Sequence, residues 1–335
     1  MGRAIGVIGA GGWGTALAKL LCEKGNEVTL WCHGEETYRQ IQERRENRFY
    51  LPEITLPGSL KVTCSLEEAA SGRELIFCAV PSPWVREVMR SAVSYVAPEA
   101  ILVCGTKGIE EGSLMTMGEV LSEIFGLSKR DRLAFLSGPT FALEVVRGLP
   151  AAVTVAAFVD EVGREVQETL STQDLRVYTS RDVVGVQMGG VVKNVIAIAA
   201  GISDGLGLGS NARAALITRG LAEMTRLTVK MGADLLTLSG LPGLGDLILT
   251  CTGELSRNRS VGIQIAQGKK IERILGEMRM VAEGVRNTRS VYLLSRQIGV
   301  EMPIVEQMYL VLYEGKKPTE AVRDLMQRSL KAEIM

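Results

Sequence analysis

The sequence predicts an α/β, doubly wound sheet followed by an all-α region. Short apolar runs alternate with helical segments through about residue 180, which is typical of such a sheet. Beyond Arg181 the periodicity becomes helical, as in 212–231, 286–298 and Pro303–Tyr313. The chain has 335 residues, more than a typical domain of roughly 100–200 residues. We therefore expect two domains, 1–180 and 181–335.

The first predicted elements are a strand, a glycine turn and a helix, in that order. The strand Ala4–Ile8 is followed by Gly9-Ala10-Gly11-Gly12-Trp13-Gly14 and by the helical run 15–21. In such a turn the first glycine permits backbone angles barred to side chains, the second lets the main chain approach a pyrophosphate, and the third lets the helix pack on the strand. A second strand, Glu27–Trp31, completes a βαβ unit, which predicts a Rossmann-like domain that binds a dinucleotide at the helix N-terminus.

Five more strands are predicted along the first half of the chain. They are 74–80, 100–104, 133–136, 151–156 and 175–178. Three of them run into Pro81-Ser82-Pro83, Gly105-Thr106-Lys107-Gly108 and Ser137-Gly138-Pro139-Thr140. We expect a parallel sheet, and open sheets of this kind bind ligands beyond the carboxyl ends of their strands. The proline-containing segment 46–59 is predicted to be a loop over the cofactor side.

The charge and cysteine content exclude several classes of protein. Lys plus Arg and Asp plus Glu both total 38, and this balance gives no bulk attraction for nucleic acid or an anionic membrane. The six cysteines are scattered, without a metal-binding spacing, which favours a cytoplasmic setting. No apolar run approaches the roughly 20 residues of a membrane span. Five glycines between Gly6 and Gly14 interrupt the N-terminal apolar stretch and disfavour a secretory signal.

The single histidine limits how a proton can be transferred. His33 lies just after the second strand, where an adenosine ribose would bind, so lysine is the best candidate for an acid/base. Lys107 follows a strand end, and Lys193 lies among valines and isoleucines, where burial or a nearby cation would lower its pKa. The alternative for Lys193 is an ordinary helix lysine whose stem covers apolar surface. Candidate partners of Lys193 are Asp204, Asp246 and Asn194.

A predicted helix start in the second half suits a phosphate. Ser256 is placed to cap the helix, and Arg257 and Asn258 fall in its first turn. Arginine presents a planar fork of donors to phosphate oxygens, and the helix N-terminus adds N–H groups. The alternative is an ordinary capped helix with solvated arginines.

Six motifs are distributed along nearly the whole chain. They are the turn 9–14, Cys104-Gly105-Thr106-Lys107-Gly108, Leu136-Ser137-Gly138-Pro139-Thr140-Phe141-Ala142, Val192-Lys193-Asn194, Gly243-Leu244-Gly245-Asp246-Leu247 and Ser256-Arg257-Asn258-Arg259. In type, order and spacing this set resembles the bacterial NAD(P)-dependent glycerol-3-phosphate dehydrogenases. The resemblance implies reversible reduction of dihydroxyacetone phosphate to sn-glycerol 3-phosphate, a precursor of glycerophospholipids.

The resemblance also implies a role for individual residues. Lys193 would be the general acid/base, Asp246 and Asn194 would orient it or the substrate, and Lys107 would lie at the cofactor–substrate junction. The implied substrate-binding residues are Lys107, Gly138, Thr140, Lys193, Asp246, Ser256, Arg257 and Asn258. The implied cofactor-binding residues are Gly9, Gly11, Gly12, Trp13, Gly14, His33, Gly34, Tyr50, Lys107, Ala142, Arg257, Val281 and Glu283. No metal is implied, and a homodimer is compatible with the sequence.

The choice between NAD and NADP is left open by one departure from the family pattern. Members often carry arginine just after the second strand, where this chain has His33-Gly34. A carboxylate at this point would favour NAD, and a cation would favour the 2′-phosphate of NADP. With neither present, we expect both cofactors to be accepted.

Two other functions fit part of the sequence. A related two-domain reductase acting on a small 2-keto or 3-hydroxy acid could also use a helix lysine, but its substrate carries a carboxylate instead of a phosphate. A regulatory protein that binds NAD(P) without chemistry would need only the glycine turn, and Lys193 would then be structural.

Overall fold

The secondary structure is described from a computed structural model for residues 2–278, 282–330 and 332–333. The strands are β1 (Ala4–Ile8), β2 (Glu27–Trp31), β3 (Glu46–Asn47), β4 (Leu51–Thr55), β5 (Lys61–Thr63), β6 (Leu75–Cys78), β7 (Ile101–Cys104), β8 (Leu133–Ser137), β9 (Ala151–Ala157) and β10 (Leu175–Ser180).

Helices connect the strands in the first half and make up the second half. The helices are α1 (Gly12–Glu23), α2 (Glu35–Arg44), α3 (Leu66–Ala70), α4 (Val85–Ala92), α5 (Met117–Phe125), α6 (Ala142–Val146), α7 (Asp160–Leu170), α8 (Val183–Gly205), α9 (Gly209–Lys230), α10 (Leu235–Ser239), α11 (Asp246–Thr252), α12 (Arg257–Ala266), α13 (Ile271–Glu277), α14 (Glu283–Gln297), α15 (Pro303–Tyr313) and α16 (Pro318–Met326). A π turn over Leu241–Gly245 leads into α11. The predicted fold class is confirmed, because the described part of 181–335 contains no strand.

One large sheet carries the first half of the chain. Among the described residues its strands are ordered β10-β9-β8-β7-β6-β1-β2-β5. The order reverses between β1 and β6, and open sheets place their ligands at such a switch point. Because Ile8 pairs with Cys78 and Cys78 with Cys104, the ends of β1, β6 and β7 are level. The turns that follow these three strands therefore lie side by side.

The expectation of an all-parallel sheet is wrong at one strand pair. β9 pairs antiparallel to β8, with Leu136 opposite Val155, and β10 then pairs parallel to β9. The reason lies in the connection between β8 and β9. Its helix α6 does not cross the sheet but stays at the carboxyl edge, where Ala142 lies beside the glycine turn. The chain re-enters the sheet from the edge at which it left, so β9 runs in the opposite direction.

The segment 46–59 also differs from the prediction. Instead of a loop it forms an antiparallel hairpin of β3 and β4. Asn47 in β3 is fully buried, and its side-chain amide donates to the Ala10 carbonyl at 2.9 Å and to the Thr15 hydroxyl at 2.8 Å. These bonds hold the hairpin against the glycine turn. A short edge strand, β5, which was also not predicted, pairs with β2.

The long helix α8 joins the sheet to the helical half. Its first turns place Val183 and Val186 in an apolar core on one face of the sheet, with Ile76 and Phe135. Further along, the same helix lies at the centre of the core formed by the helices. By length and composition α8 could cross a membrane, but 89% of its apolar window is buried inside the protein, as expected for a core helix.

Candidate active site

A carboxylate between two lysines lies where the sheet meets the helices. Lys107 Nζ donates to Asp246 Oδ2 at 2.7 Å, and Lys193 Nζ donates to Asp246 Oδ1. Lys193 and Asp246 are buried, with 6% and 1% of their surfaces exposed. Lys193 also donates to the Thr250 hydroxyl at 2.8 Å, and that hydroxyl donates to the Asp246 carbonyl oxygen at 2.6 Å. Asp246 is thus the partner of Lys193 among the three candidates.

Each of these three side chains reaches the cluster from a different element. Lys107 follows β7, Lys193 lies in the middle of α8, and Asp246 is the first residue of α11, after the π turn. Small residues let the elements approach. A Cβ at Gly189 would lie 2.4 Å from the Pro242 carbonyl oxygen, and one at Gly190 would lie 3.2 Å from Lys107 Cγ. Glycines on one face of α8 therefore bring the π turn and Lys107 to Lys193.

Burial makes Lys193 a group that can exchange a proton near neutral pH. Desolvation lowers its pKa to about 7, and the Lys107 ammonium adds to this effect, while the Asp246 carboxylate opposes it. An acid/base works best when its pKa is close to the operating pH. The cluster therefore holds a lysine suited to protonating and deprotonating an oxygen.

Asn194 and Asp204 do not contact Lys193 through any described hydrogen bond. The Asn194 amide donates to the Gly190 carbonyl at 3.2 Å, and its carbonyl oxygen accepts from Asn258 at 2.9 Å. Asp204 instead forms ion pairs with Arg259 at 2.7 Å and with Arg213 at 3.1 Å. Asn194 belongs to a chain of amides beside the cluster, and Asp204 belongs to a separate ion-pair network.

The predicted phosphate-binding segment is a capped helix start. The Ser256 hydroxyl accepts from the Arg259 N–H at 3.2 Å and so caps α12. Arg257, in the first turn, is exposed to solvent, and partial desolvation lowers its pKa, opposed by Glu283 and Tyr50. An arginine beside a helix N-terminus is suited to a phosphate.

Gly138 and Thr140 adjoin the lysine cluster. The Gly138 carbonyl accepts from Lys107 Nζ at 3.3 Å and from the Thr140 hydroxyl at the same distance. The turn after β8 is thus connected directly to Lys107. Phe141, the residue after Thr140, packs against Gly253, three residues before Ser256, so the same turn also contacts the segment that leads into α12.

The glycine turn fits a dinucleotide. Gly9 has a φ of +115°, and a Cβ at Gly14 would lie 1.8 Å from the Gly9 carbonyl oxygen, so the fold requires both glycines. Gly11 differs, because its φ is −73° and an added Cβ would meet no atom of the described residues within 4 Å. Within the part of the chain that the structure describes, no side chain caps the start of α1. The open space at Gly11 and the uncapped N–H groups are what a pyrophosphate needs.

Other predicted cofactor residues surround this turn in part. The Tyr50 carbonyl oxygen and Ala142 Cβ lie 3.5 Å and 3.9 Å from where a Gly12 Cβ would be. Trp13 packs against Gly105, the residue that follows β7. The exposed residues His33 and Gly34 follow β2. The imidazole ring lies edge-on to the Trp31 ring, with 5.8 Å between the two ring centroids. Val281 lies outside the described residues.

Glu283 is held by a residue whose role was not predicted. Its carboxylate accepts from the Ser82 N–H at 3.0 Å and from the Ser82 hydroxyl at 2.6 Å. Burial raises the pKa of Glu283, while these bonds and the Arg257 charge act in the opposite direction. Glu283 therefore ties the start of α14 to the turn after β6, close to Arg257.

Sequence reasoning missed three residues of this site. Thr250 lies four residues after Asp246 on one helix face, a spacing that could have identified it. Ser82 lies in a turn that the sequence singled out only as a strand end. Asn47 had no signal, because nothing distinguishes it from other polar residues in its segment.

Among the residues that the structure describes, no group of His, Cys, Asp or Glu side chains could hold a metal ion.

Comparison with known proteins identifies the family. Residues 4–162 match the N-terminal family model of NAD-dependent glycerol-3-phosphate dehydrogenase, and residues 182–323 match its C-terminal model. The chain is 57% identical over 333 residues to a glycerol-3-phosphate dehydrogenase [NAD(P)+] of Citrifermentans bemidjiense, covering 99% of each chain. It is 54% identical over 330 residues to that of Syntrophotalea carbinolica, covering 98% of this chain and 99% of the relative.

A solved structure agrees with both comparisons. The crystal structure of glycerol-3-phosphate dehydrogenase from Coxiella burnetii superposes with a TM-score of 0.93 at 40% identity, covering 98% of this chain and 99% of that chain. The similarity thus includes both the sheet and the helical half. This chain belongs to the NAD-dependent glycerol-3-phosphate dehydrogenase family.

Proposed function

We propose that this chain catalyses the reversible reduction of dihydroxyacetone phosphate to sn-glycerol 3-phosphate, with NADH or NADPH as the reductant. The observation that carries the proposal is the Lys107–Asp246–Lys193 cluster, in which Asp246 and Lys193 are buried. It lies at the junction of the dinucleotide-type sheet with the helical half. Family membership supports the substrate.

The residues of the cluster would manage the proton. The reduced nicotinamide supplies a hydride when it is bound. In reduction, the Lys193 ammonium would donate a proton to the substrate oxygen, and in oxidation the neutral amine would accept it. Asp246 and Thr250 accept hydrogen bonds from Lys193 and so fix the direction of its amine. Lys107 adds a second positive charge near the oxygen that becomes negative.

Other residues would bind and align the two ligands. Arg257 and the capped start of α12 would bind the substrate phosphate, and this remote binding energy would align the carbon that accepts the hydride. The glycine turn with the N-terminus of α1 would hold the cofactor pyrophosphate. His33 and Gly34 present neither a carboxylate nor an arginine to the ribose, so both NAD and NADP would bind.

A substrate comparison tests the proposed reaction. The purified enzyme is assayed with NADPH and NADH against dihydroxyacetone phosphate and, separately, ketopantoate, a 2-keto acid without a phosphate. We expect turnover of dihydroxyacetone phosphate with both cofactors and little with ketopantoate. Turnover of ketopantoate without turnover of the triose phosphate would instead assign the chain to the 2-keto acid reductases.

The cellular setting and the assembly are further parts of the proposal. We place the enzyme in the cytoplasm, supplying glycerol phosphate for glycerophospholipids, because its six cysteines are free and scattered. We also propose 1–180 and 181–335 as its domains and a homodimer as its assembly. Sedimentation of the purified chain gives the assembly directly, and a mass near the monomer value of 36.2 kDa would contradict the dimer.

A further inference from the structure

One buried amide contacts the main chain of Lys107. Asn287 lies in the second turn of α14 and has 0% of its surface exposed. Its Nδ2 donates to the Lys107 carbonyl oxygen at 3.1 Å and makes a longer contact of 3.5 Å with the Val191 carbonyl oxygen. A single side chain thus connects α14 to the turn after β7 and to α8.

The turn that carries Lys107 is also packed against this helix. A Cβ at Gly108 would lie 2.2 Å from Ser82 Cβ and 3.5 Å from Asn287 Oδ1, so the turn fits between these two side chains. Ser82 is itself bonded to Glu283, one turn before Asn287 on the same helix. The first two turns of α14 therefore hold the turns that follow β6 and β7.

The orientation of the Asn287 amide is fixed by its neighbours. Both contacts of Nδ2 are to carbonyl oxygens, so the opposite orientation would place oxygen against oxygen. Its Oδ1 is buried and has no hydrogen-bond partner among the described residues. An unpaired buried acceptor disfavours the folded state. The amide is therefore held in the orientation in which it donates to the Lys107 carbonyl.

We propose that Asn287 is a positioning residue for the reaction. By holding the Lys107 main chain, it keeps the Lys107 ammonium on Asp246 and therefore close to Lys193. This inference rests on the proposed function only in taking Lys193 as the acid/base.

The position of Lys107 has a consequence that can be measured. The charged and titratable groups that act on Lys193 are Asp246, Lys107 and the buried thiol of Cys251. The Lys107 charge lowers the pKa of Lys193. If Lys107 moves away from Asp246, the repulsion between the two ammonium groups weakens. The Asp246 carboxylate then interacts with Lys193 alone. Both changes raise the pKa of Lys193.

The test replaces Asn287 with leucine, which has a similar size and no donor. In the oxidation of glycerol 3-phosphate, kcat/KM rises with pH as Lys193 loses its proton. We expect Asn287→Leu to lower kcat/KM by roughly tenfold to a hundredfold and to move this rise to higher pH. Competitive acetylation of Lys193, followed by mass spectrometry across the pH range without ligands, should show the same upward shift.

Two comparisons separate positioning from general loosening. Thr288 is also fully buried in α14 but donates only within its own helix, to the Gly284 carbonyl at 2.7 Å. Thr288→Val should therefore leave the pH dependence of kcat/KM and that of Lys193 acetylation unchanged. In a Lys107→Met background, Asn287→Leu should cause no further shift, because it acts through Lys107. If leucine prevents folding, Asn287→Ala adds no atoms and carries the same prediction.

Each outcome decides one claim. A folded Asn287 variant whose Lys193 pKa equals that of the wild type would overturn the inference. An equal shift in Thr288→Val would also overturn it. A wild-type protein that does not turn over triose phosphate would instead overturn the proposed function, and acetylation would still test the role of Asn287.

Discussion

The chemistry of the site rests on where one lysine lies. Lys193 would carry a charge throughout the neutral range in water, but it is 6% exposed and shares Asp246 with a second ammonium. Desolvation is the largest effect on its pKa, which falls to about 7. The Asp246 carboxylate opposes this shift but does not reverse it, because desolvation is the larger effect. Both protonation states of Lys193 are therefore accessible near neutral pH.

This pKa predicts opposite pH dependences for the two directions. With Lys193 as the proposed base, oxidation of glycerol 3-phosphate would need its neutral amine, so kcat/KM should rise with pH through about 7. Reduction of dihydroxyacetone phosphate needs the ammonium, so kcat/KM should fall above the same pH. Steady-state rates in buffers of constant ionic strength measure both curves. Curves that are flat between about pH 6 and 8 in both directions would contradict the assignment.

The proposed phosphate site makes a prediction at a single arginine. Arg257→Ala should mainly raise KM for dihydroxyacetone phosphate, with a loss of about 1.5–3 kcal/mol, as for a hydrogen bond to a charged group. The matched control is Arg259→Ala in the same turn, which removes the ion pair to Asp204 and should lower stability while leaving KM unchanged. Steady-state kinetics and thermal melts of both variants measure this. A KM unaffected by Arg257→Ala would exclude it from the phosphate site.

The sequence indicated the cluster but not its geometry. The apolar neighbours of Lys193 predict its burial, and Asp246 was one of three candidate partners. Which candidate is the partner depends on the π turn before Asp246 and on the glycines of α8 that admit it. These are contacts between distant segments, and side-chain periodicity does not report them.

At the scale of elements, the glycine turn combines two requirements. Gly9 and Gly14 are needed by the protein itself, because side chains there would meet the Ala79 and Gly9 carbonyls. At Gly11 no atom of the described residues excludes a side chain. The protein therefore leaves room at Gly11 that its own packing does not use.

Alanine at two of these glycines should separate folding from binding. Gly11→Ala should keep the wild-type melting temperature and weaken NADPH binding by about tenfold or more, because its methyl group would occupy the space proposed for the pyrophosphate. Gly14→Ala should lower stability by about 1–3 kcal/mol through overpacking. Calorimetric melts and cofactor titrations measure both. Unchanged cofactor affinity in Gly11→Ala would show that the pyrophosphate lies elsewhere.

Most elements follow from sequence pattern, and the exceptions have physical reasons. The seven predicted strands all form, because buried strands of a sheet are continuous apolar runs. β5 was missed because Lys61-Val62-Thr63 is short and mostly polar. The direction of β9 was missed because an apolar run looks the same in either direction. Only the path of α6 along the carboxyl edge settles it.

At the scale of the whole molecule, α8 connects the two halves mechanically. Val183 and Val186 belong to a core that the sheet also forms, while Met188 and Val191 belong to the core of the helices. These residues follow one another in a single continuous helix. Neither core can lose its packing without disturbing the helix that both share.

This sharing predicts how the protein unfolds. Two domains with separate cores would melt in separate steps, but here we expect one calorimetric transition, with a ratio of calorimetric to van't Hoff enthalpy of about 1. Differential scanning calorimetry at several scan rates measures this. Two resolved transitions would show that the sheet and the helices unfold independently despite α8.

In the proposed reaction, Lys193 exchanges the proton with the substrate oxygen. The most direct test is kcat of Lys193→Ala at saturating substrate and cofactor, with cofactor affinity measured in the same preparation. Lys129→Ala is the control, since Lys129 is also buried with a pKa lowered to about 8 but bonds only the Ala97 and Pro98 carbonyls among described contacts. We predict that Lys193→Ala lowers kcat by roughly 10²–10⁴ with near-normal cofactor affinity. A kcat equal to that of the wild type would contradict the claim.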